Sequence, residues 1–167
     1  MSYYEMARKV GGVSNSSTIA SYLQVLDESR LVCGLQMFGE RQSYKSKPKW
    51  QVYDSVLMSM WRYGGFDSAY RDPVEWAQRV ESAVGSYLVN NAKRLGYSVY
   101  YWKSGEEEVD FVVQKGKRLV AIEVKSGRRK RSGLRAFRKL YYPDLELIVG
   151  SDEMSLERFL SMELEEL

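Results

Sequence analysis

Two apolar runs a hairpin apart constrain this chain more than any other feature: Val109-Asp110-Phe111-Val112-Val113 and Leu119-Val120-Ala121-Ile122-Glu123-Val124-Lys125, joined by Gln114-Lys115-Gly116-Lys117-Arg118. The joining segment has the glycine and polar content of a turn, so the runs predict two paired antiparallel strands. Pairing them brings Asp110 near Glu123. Side chains alternate along a strand, so Glu123 and Lys125 share one face with Leu119 and Ala121, while Val120, Ile122 and Val124 take the other. Both faces are apolar until the charges appear at one end.

Two carboxylates held close together repel when ionised. A divalent cation with oxygen preference removes that cost while binding a phosphate oxygen and a water. The metal acidifies the water, and a lysine two residues beyond the acid on the same face can orient it or stabilise charge developing on phosphorus. Asp110, Glu123 and Lys125 therefore predict a metal-dependent phosphodiesterase site. A lone Glu-x-Lys is more often a solvated ion pair at a strand end. The second acid at hairpin distance is what points to metal chemistry.

A third acid lies on the clearest helix signal in the chain, from Asp72 to Gly96. Asp72 suits the N-cap, Pro73 the first turn and Gly96 the C-terminal stop. Ala77, Val80, Val84, Tyr87, Leu88 and Leu95 recur at helical spacing, and Glu81 leans onto the face they form. A carboxylate there costs free energy unless paired, so Glu81 is expected to meet Lys125, a metal or another buried donor. At the edge of the stripe it would instead reach solvent.

Glu81 on a helix, Tyr100-Tyr101-Trp102, Glu108-Val109-Asp110-Phe111 and Ile122-Glu123-Val124-Lys125-Ser126-Gly127 together resemble the PD-(D/E)XK nuclease superfamily, whose core is a helix, a three-stranded meander, a helix and a further strand. More narrowly, the chain resembles the C-terminal region of a large prokaryotic family of AAA-type ATPases whose tail domain carries no assigned function, where a winged-helix segment precedes the nuclease-like one. The resemblance runs from about Tyr3 to Gly150, and its first acidic motif here is Val-Asp without the superfamily's proline. It implies an α/β fold with a catalytic set of Glu81, Asp110, Glu123 and Lys125, and Mg²⁺ or Mn²⁺ held by Asp110 and Glu123 with Glu81 ancillary. It also implies an ATPase motor as a partner.

The domain organisation that follows is a winged helix-turn-helix over 1–60, a connector over 61–72, and a restriction-endonuclease-like mixed-sheet domain over 73–167. In the first module Tyr3 to Val10 reads as a helix, Gly11-Gly12-Val13 as a turn, and Ser14-Asn15-Ser16 as the cap of a second helix with the stripe Ile19, Tyr22, Leu23 and Leu26. Strand-like runs Leu31 to Phe38 and Trp50 to Tyr53 flank a wing with Arg41, Lys45, Lys47 and Lys49. The second helix exposes Ser17, Ser21, Gln24 and Glu28 beside Asp27, with no cation before Arg30, so base readout is disfavoured and protein docking is the reading preferred for this module.

Net charge is only +3, yet from Lys115 to Lys139 eleven cations face the single acid Glu123. Arg128, Arg129, Lys130, Arg131, Arg135 and Arg138 are the expected contacts to nucleic acid, DNA ahead of RNA, where phosphate neutralisation releases counterions; an anionic protein partner is the alternative. The cluster precedes a helix striped by Leu134, Phe137, Leu140 and Tyr141 and stopped by Pro143, and the tail reads as a short helix of Leu156, Phe159, Leu160 and Leu164 packing back on the domain. With no histidine, imidazole-based triads and zinc sites are excluded. Cys33, the one cysteine, allows no internal disulfide, which points to a reducing cytoplasm. The sequence predicts no membrane span and no secretory leader, and it contains no Walker phosphate loop. The expected function is Mg²⁺-dependent cleavage of nucleic acid. The alternatives are a degenerate nuclease fold that binds DNA or a protein as an adaptor, and a regulatory interaction module.

Overall fold

The computed structural model describes residues 3–11, 15–39, 48–59, 65–125 and 132–164. The chain opens with helices α1 (Tyr3–Val10) and α2 (Ser16–Glu28). Asn15 caps α2, its side chain accepting from the Thr18 N–H at 2.9 Å. Ile19 faces inward, whereas Tyr22, expected in the same stripe, is 53% exposed. Strands β1 (Val32–Met37) and β2 (Lys49–Val52) follow, paired antiparallel from Val32↔Val52 to Leu35↔Lys49. A 3-10 turn over Ser55–Met58 and helix α3 (Gly65–Arg71) lead to α4 (Pro73–Leu95). The signals read for α4 are all in use: Asp72 accepts from the N–H groups of Val74 and Glu75, Pro73 occupies the first turn, and Gly96 ends the helix at φ 70°, a left-handed conformation open to glycine.

From α4 the order is β3 (Ser98–Ser104), β4 (Glu107–Lys115), β5 (Arg118–Val124), α5 (Ser132–Tyr141), β6 (Leu145–Val149) and α6 (Leu156–Leu160). β3, β4 and β5 form an antiparallel meander, and β6 returns parallel to β5 after α5. All strands join one mixed six-stranded sheet in the order β2-β1-β3-β4-β5-β6. β1 runs parallel to β3 through Gln36↔Tyr100 and Met37↔Tyr101, so the ribbon expected as the wing of a separate module is also the outer part of this sheet.

Each face of the sheet has its own apolar layer. Phe111, Val113, Val120, Ile122 and Val149 pack with Val84, Leu88 and Val89 of α4 and with Phe159 of α6. Trp102, Val109, Val112, Leu119, Ala121 and Ile148 pack with Leu134 and Phe137 of α5. Strict alternation cannot put Val109 and Val112 on one face. The register explains it: Tyr100 pairs with Val112 and Trp102 with Val109, so β4 spends one residue more than β3 across this stretch. That bulge turns Asp110 as well as Phe111 towards α4.

Two close approaches depend on glycine. A Cβ on Gly85 of α4 would strike the Gln51 side chain and the Phe111 ring, and a Cβ on Gly133 of α5 would strike the backbone carbonyl of Glu108. Alanine favours a helix by roughly 1 kcal/mol over glycine. At Gly133 the obstacle is backbone and cannot turn aside, so Gly133→Ala is expected to lower stability by roughly 1–3 kcal/mol despite that gain. Urea unfolding measures it, and an unchanged or higher midpoint would show that α5 does not lie this close to β4.

Candidate functional site

The bulge, α4 and the outer strand β2 together build one charged centre. Lys49 on β2 projects its ammonium to Glu81 Oε1 of α4 at 2.7 Å, Glu108 Oε1 of β4 at 3.3 Å and Asp110 Oδ1 of β4 at 3.6 Å. The same ammonium lies 5.4 Å from the centroid of the Phe111 ring. Lys103 of β3 reaches the second oxygen of Glu108 at 3.3 Å from a more exposed position. Asp110 is held from its other side as well, its Oδ2 accepting from the Val124 N–H of β5 at 2.8 Å.

Glu123 and Lys125 form a separate pair, Lys125 Nζ to Glu123 Oε1 at 3.3 Å, with both side chains nearly buried. The β5–β6 register places Glu123 opposite Ile148, which packs with α5, and Val124 opposite Val149, which packs with α4. Glu123 therefore lies on the α5 side of the sheet, in line with Leu119 and Ala121, and alternation carries Lys125 to the same side. Asp110, turned by the bulge, lies on the α4 side. Of the four residues read as one catalytic set, the structure joins Glu81 to Asp110 through Lys49 and Glu123 to Lys125, and links the two groups through the backbone of Val124.

In the sequence Lys49 reads only as a wing lysine and Glu108 as part of a motif without a role. Glu108 had a signal: two residues before Asp110, it belongs to the same side of the strand. Lys49 had none, because its partners are thirty or more residues away and only the sheet order brings β2 over α4.

Burial pushes the Asp110 carboxyl up to about 6 from an ordinary 3.8; Glu81 and Glu108 add to the rise, and the Lys49 ammonium and the Val124 N–H oppose it. For Lys49 burial acts to lower the ammonium, but Glu81, Asp110 and Glu108 outweigh it and carry the group up to about 12. Burial raises Asp110, and the Lys49 charge is shared too unequally to offset it. Glu81, at 2.7 Å, takes the larger part, and Asp110, at 3.6 Å, is left under-compensated.

This donor set does not fit the divalent ion that the nuclease resemblance implies. The oxygens of Glu81, Glu108 and Asp110 turn to a lysine ammonium, and Glu123 turns to another lysine across the sheet. Among the described residues no group of three or more His, Cys, Asp or Glu side chains is arranged to hold a metal.

Of the residues expected to meet phosphate, Arg128, Arg129, Lys130 and Arg131 lie outside the described residues, as do Arg41, Lys45 and Lys47 of the wing. Arg135 is exposed on α5. Arg138 is exposed too, but its guanidinium binds both carboxylate oxygens of Glu146 on β6. Among the described residues no helix is long and apolar enough to cross a membrane.

The family described as Domain of unknown function (DUF4143) matches residues 78–161, from within α4 to the end of α6, which is half of the chain. The chain belongs to this family. DUF4143 is a domain found in AAA-ATPase-associated proteins. Its segment here includes Glu81, Glu108, Asp110, Glu123 and Lys125, whereas Lys49 lies outside it, so the ammonium among the acids comes from the N-terminal part of the chain. No curated protein and no solved structure matches the chain.

The raised Asp110 carboxyl sets a pH dependence. A carboxyl that titrates higher when folded than when unfolded costs nothing while both states are protonated, below about pH 4, and costs most once both are ionised, above about pH 6. Asp110→Asn should therefore gain stability over the natural chain as pH rises from about 4 to about 7, by on the order of 1–3 kcal/mol. Urea unfolding of both chains across that range provides the test, and a difference that stays flat with pH would contradict the burial assigned to Asp110.

Proposed function

We propose that this chain is a nuclease-like domain of ATPase-associated proteins that docks on nucleic acid and does not cut it. The observation that carries the reading is the separation of Asp110, engaged by Lys49 on the α4 side, from Glu123, engaged by Lys125 on the α5 side. Metal-assisted hydrolysis needs carboxylates that share one ion and hold a water against phosphorus. Here each acid is matched to a protein cation instead. The order of helix, meander, helix and strand from Pro73 onward, with Glu81 on the helix, Asp110 at the bulge of β4 and Glu123 near the end of β5, supports descent from the nuclease-like architecture.

Docking is supported by the cations on the opposite side. α5 lies over β4 and β5, with Gly133 of its first turn against the Glu108 backbone of β4, and beyond it Asp144 accepts from the Leu119 N–H of β5 at 2.8 Å. On α5 Arg135 and Lys139 are exposed, and Lys117 and Arg118 stand at the β4–β5 turn. Arg138 is committed to Glu146, so Arg135, Lys139 and Lys117 are the described residues assigned to phosphate, with Arg128 to Arg131 of the sequence leading into the helix. Such contacts follow the backbone and carry no base preference.

Fluorescence anisotropy of labelled duplex and single-stranded DNA and of RNA across salt concentrations tests the docking. Replacing Arg135 and Lys139 together by Ala should reduce the salt slope for duplex by roughly 2, which is on the order of ten- to a hundredfold in affinity near ~0.1 M salt. Incubation of the same substrates with Mg²⁺ or Mn²⁺ should leave them intact. Absence of binding at low salt would remove the docking function, and cleavage abolished by Asp110→Ala and by Glu123→Ala would replace this reading with a metal-dependent nuclease.

A further inference from the structure

The acid centre is closed by a residue of the outermost strand. Lys49 and Gln51 are two residues apart on β2, so both face α4. Lys49 binds Glu81 there, and the Gln51 amide donates to the Ser82 carbonyl at 3.0 Å and to Ser86 Oγ at 3.4 Å. Lys49 also reaches across to Glu108 and Asp110 of β4. One ammonium thus ties three elements that the sheet alone does not bring together, since β2 and β4 are separated in it by β1 and β3.

We infer that Lys49 stands in the place of a divalent cation among Glu81, Glu108 and Asp110, and that this lysine-closed centre fastens the β1–β2 ribbon to the DUF4143 segment without any metal. Electrostatics supplies the reason. Three carboxylates gathered in a partly buried space repel one another, and a cation is required to hold them. An ammonium on a flexible stem supplies it from within the chain and takes one oxygen of each acid that a metal would use. A bound ion and Lys49 would compete for the same three side chains, so the two are mutually exclusive.

The inference rests on the non-cleaving reading only in its absence of metal, and is independent of DNA docking, which anisotropy reads separately. The experiment is calorimetric titration of the full chain with MnCl₂, together with thermal unfolding in EDTA and in millimolar Mn²⁺, for the natural chain and for Lys49→Met. The natural chain should take up no stoichiometric Mn²⁺ and unfold at the same temperature in EDTA and in Mn²⁺. Lys49→Met, which keeps the apolar stem and removes the charge, should unfold several degrees lower in EDTA, bind one Mn²⁺, and recover part of the loss. Adding Asp110→Asn and Glu81→Gln to Lys49→Met should abolish that uptake.

One Mn²⁺ bound by the natural chain, with EDTA lowering its unfolding temperature, would overturn the assignment while leaving docking untouched. So would a Lys49→Met chain as stable as the natural one and indifferent to Mn²⁺. If Lys49→Met does not fold, Lys49→Met with Asp110→Asn reduces the uncompensated charge. Folding of that chain in Mn²⁺ but not in EDTA supports the assignment, and equal behaviour in both overturns it.

Discussion

The extra residue that β4 carries between Val109 and Val112 decides where the charge of this protein can go. Without it Asp110 would follow Val112 in alternation and share the α5 side with Glu123, its neighbour across the hairpin. With it Asp110 turns beneath α4, within reach of Glu81 and of a lysine from the far edge of the sheet. A bulge costs ladder hydrogen bonds and is kept where it aims a side chain. The backbone donor freed on the neighbouring strand is used at once: the Val124 N–H bonds to Asp110 Oδ2.

Once Asp110 is on that side, the remaining contacts are mutually dependent. The acids require a cation, the cation is carried by β2, and β2 reaches α4 only because Gly85 leaves room for Gln51. Gly85 also admits the Phe111 ring, which the bulge places beside Asp110 and under the Lys49 ammonium. A partly buried charge network of this kind is a weak source of net stability, because desolvation offsets most of the attraction, but removing one member leaves the others poorly compensated. Its contribution is to specify how β1 and β2 join the sheet.

Helix boundaries and face assignment were legible in the sequence wherever local chemistry decides them. The Asp72 cap, Pro73 and the left-handed Gly96 delimit α4, and the alternation along β5 correctly separates Leu119 and Ala121 from Val120 and Ile122. What depends on non-local pairing was not. β1 pairing with β3 joins residues more than sixty positions apart, and nothing in the run Leu31 to Phe38 distinguishes a strand of a wing from a strand of the larger sheet. The bulge is hidden for the same reason, because it is a difference in length between partners rather than a property of Val109 to Val112 themselves. Glu81 was expected to meet Lys125, a metal or another buried donor, or to reach solvent from the edge of the stripe; it lies partly exposed and pairs with Lys49, a donor that nothing local to the helix announces.

The two sides of the sheet differ electrostatically as well. On the α4 side, acids from α4 and β4 converge on Lys49. On the α5 side the helix exposes Arg135 and Lys139 and the β4–β5 turn exposes Lys117, while Glu123 pairs with Lys125, Glu146 pairs with Arg138, and Glu153 lines the same hollow as Arg135 and Arg138. The thickness of the sheet separates these cations from the acidic centre and weakens the attraction between them. The helix cations and the acid centre therefore lie on opposite faces of the sheet, each set balanced within its own side.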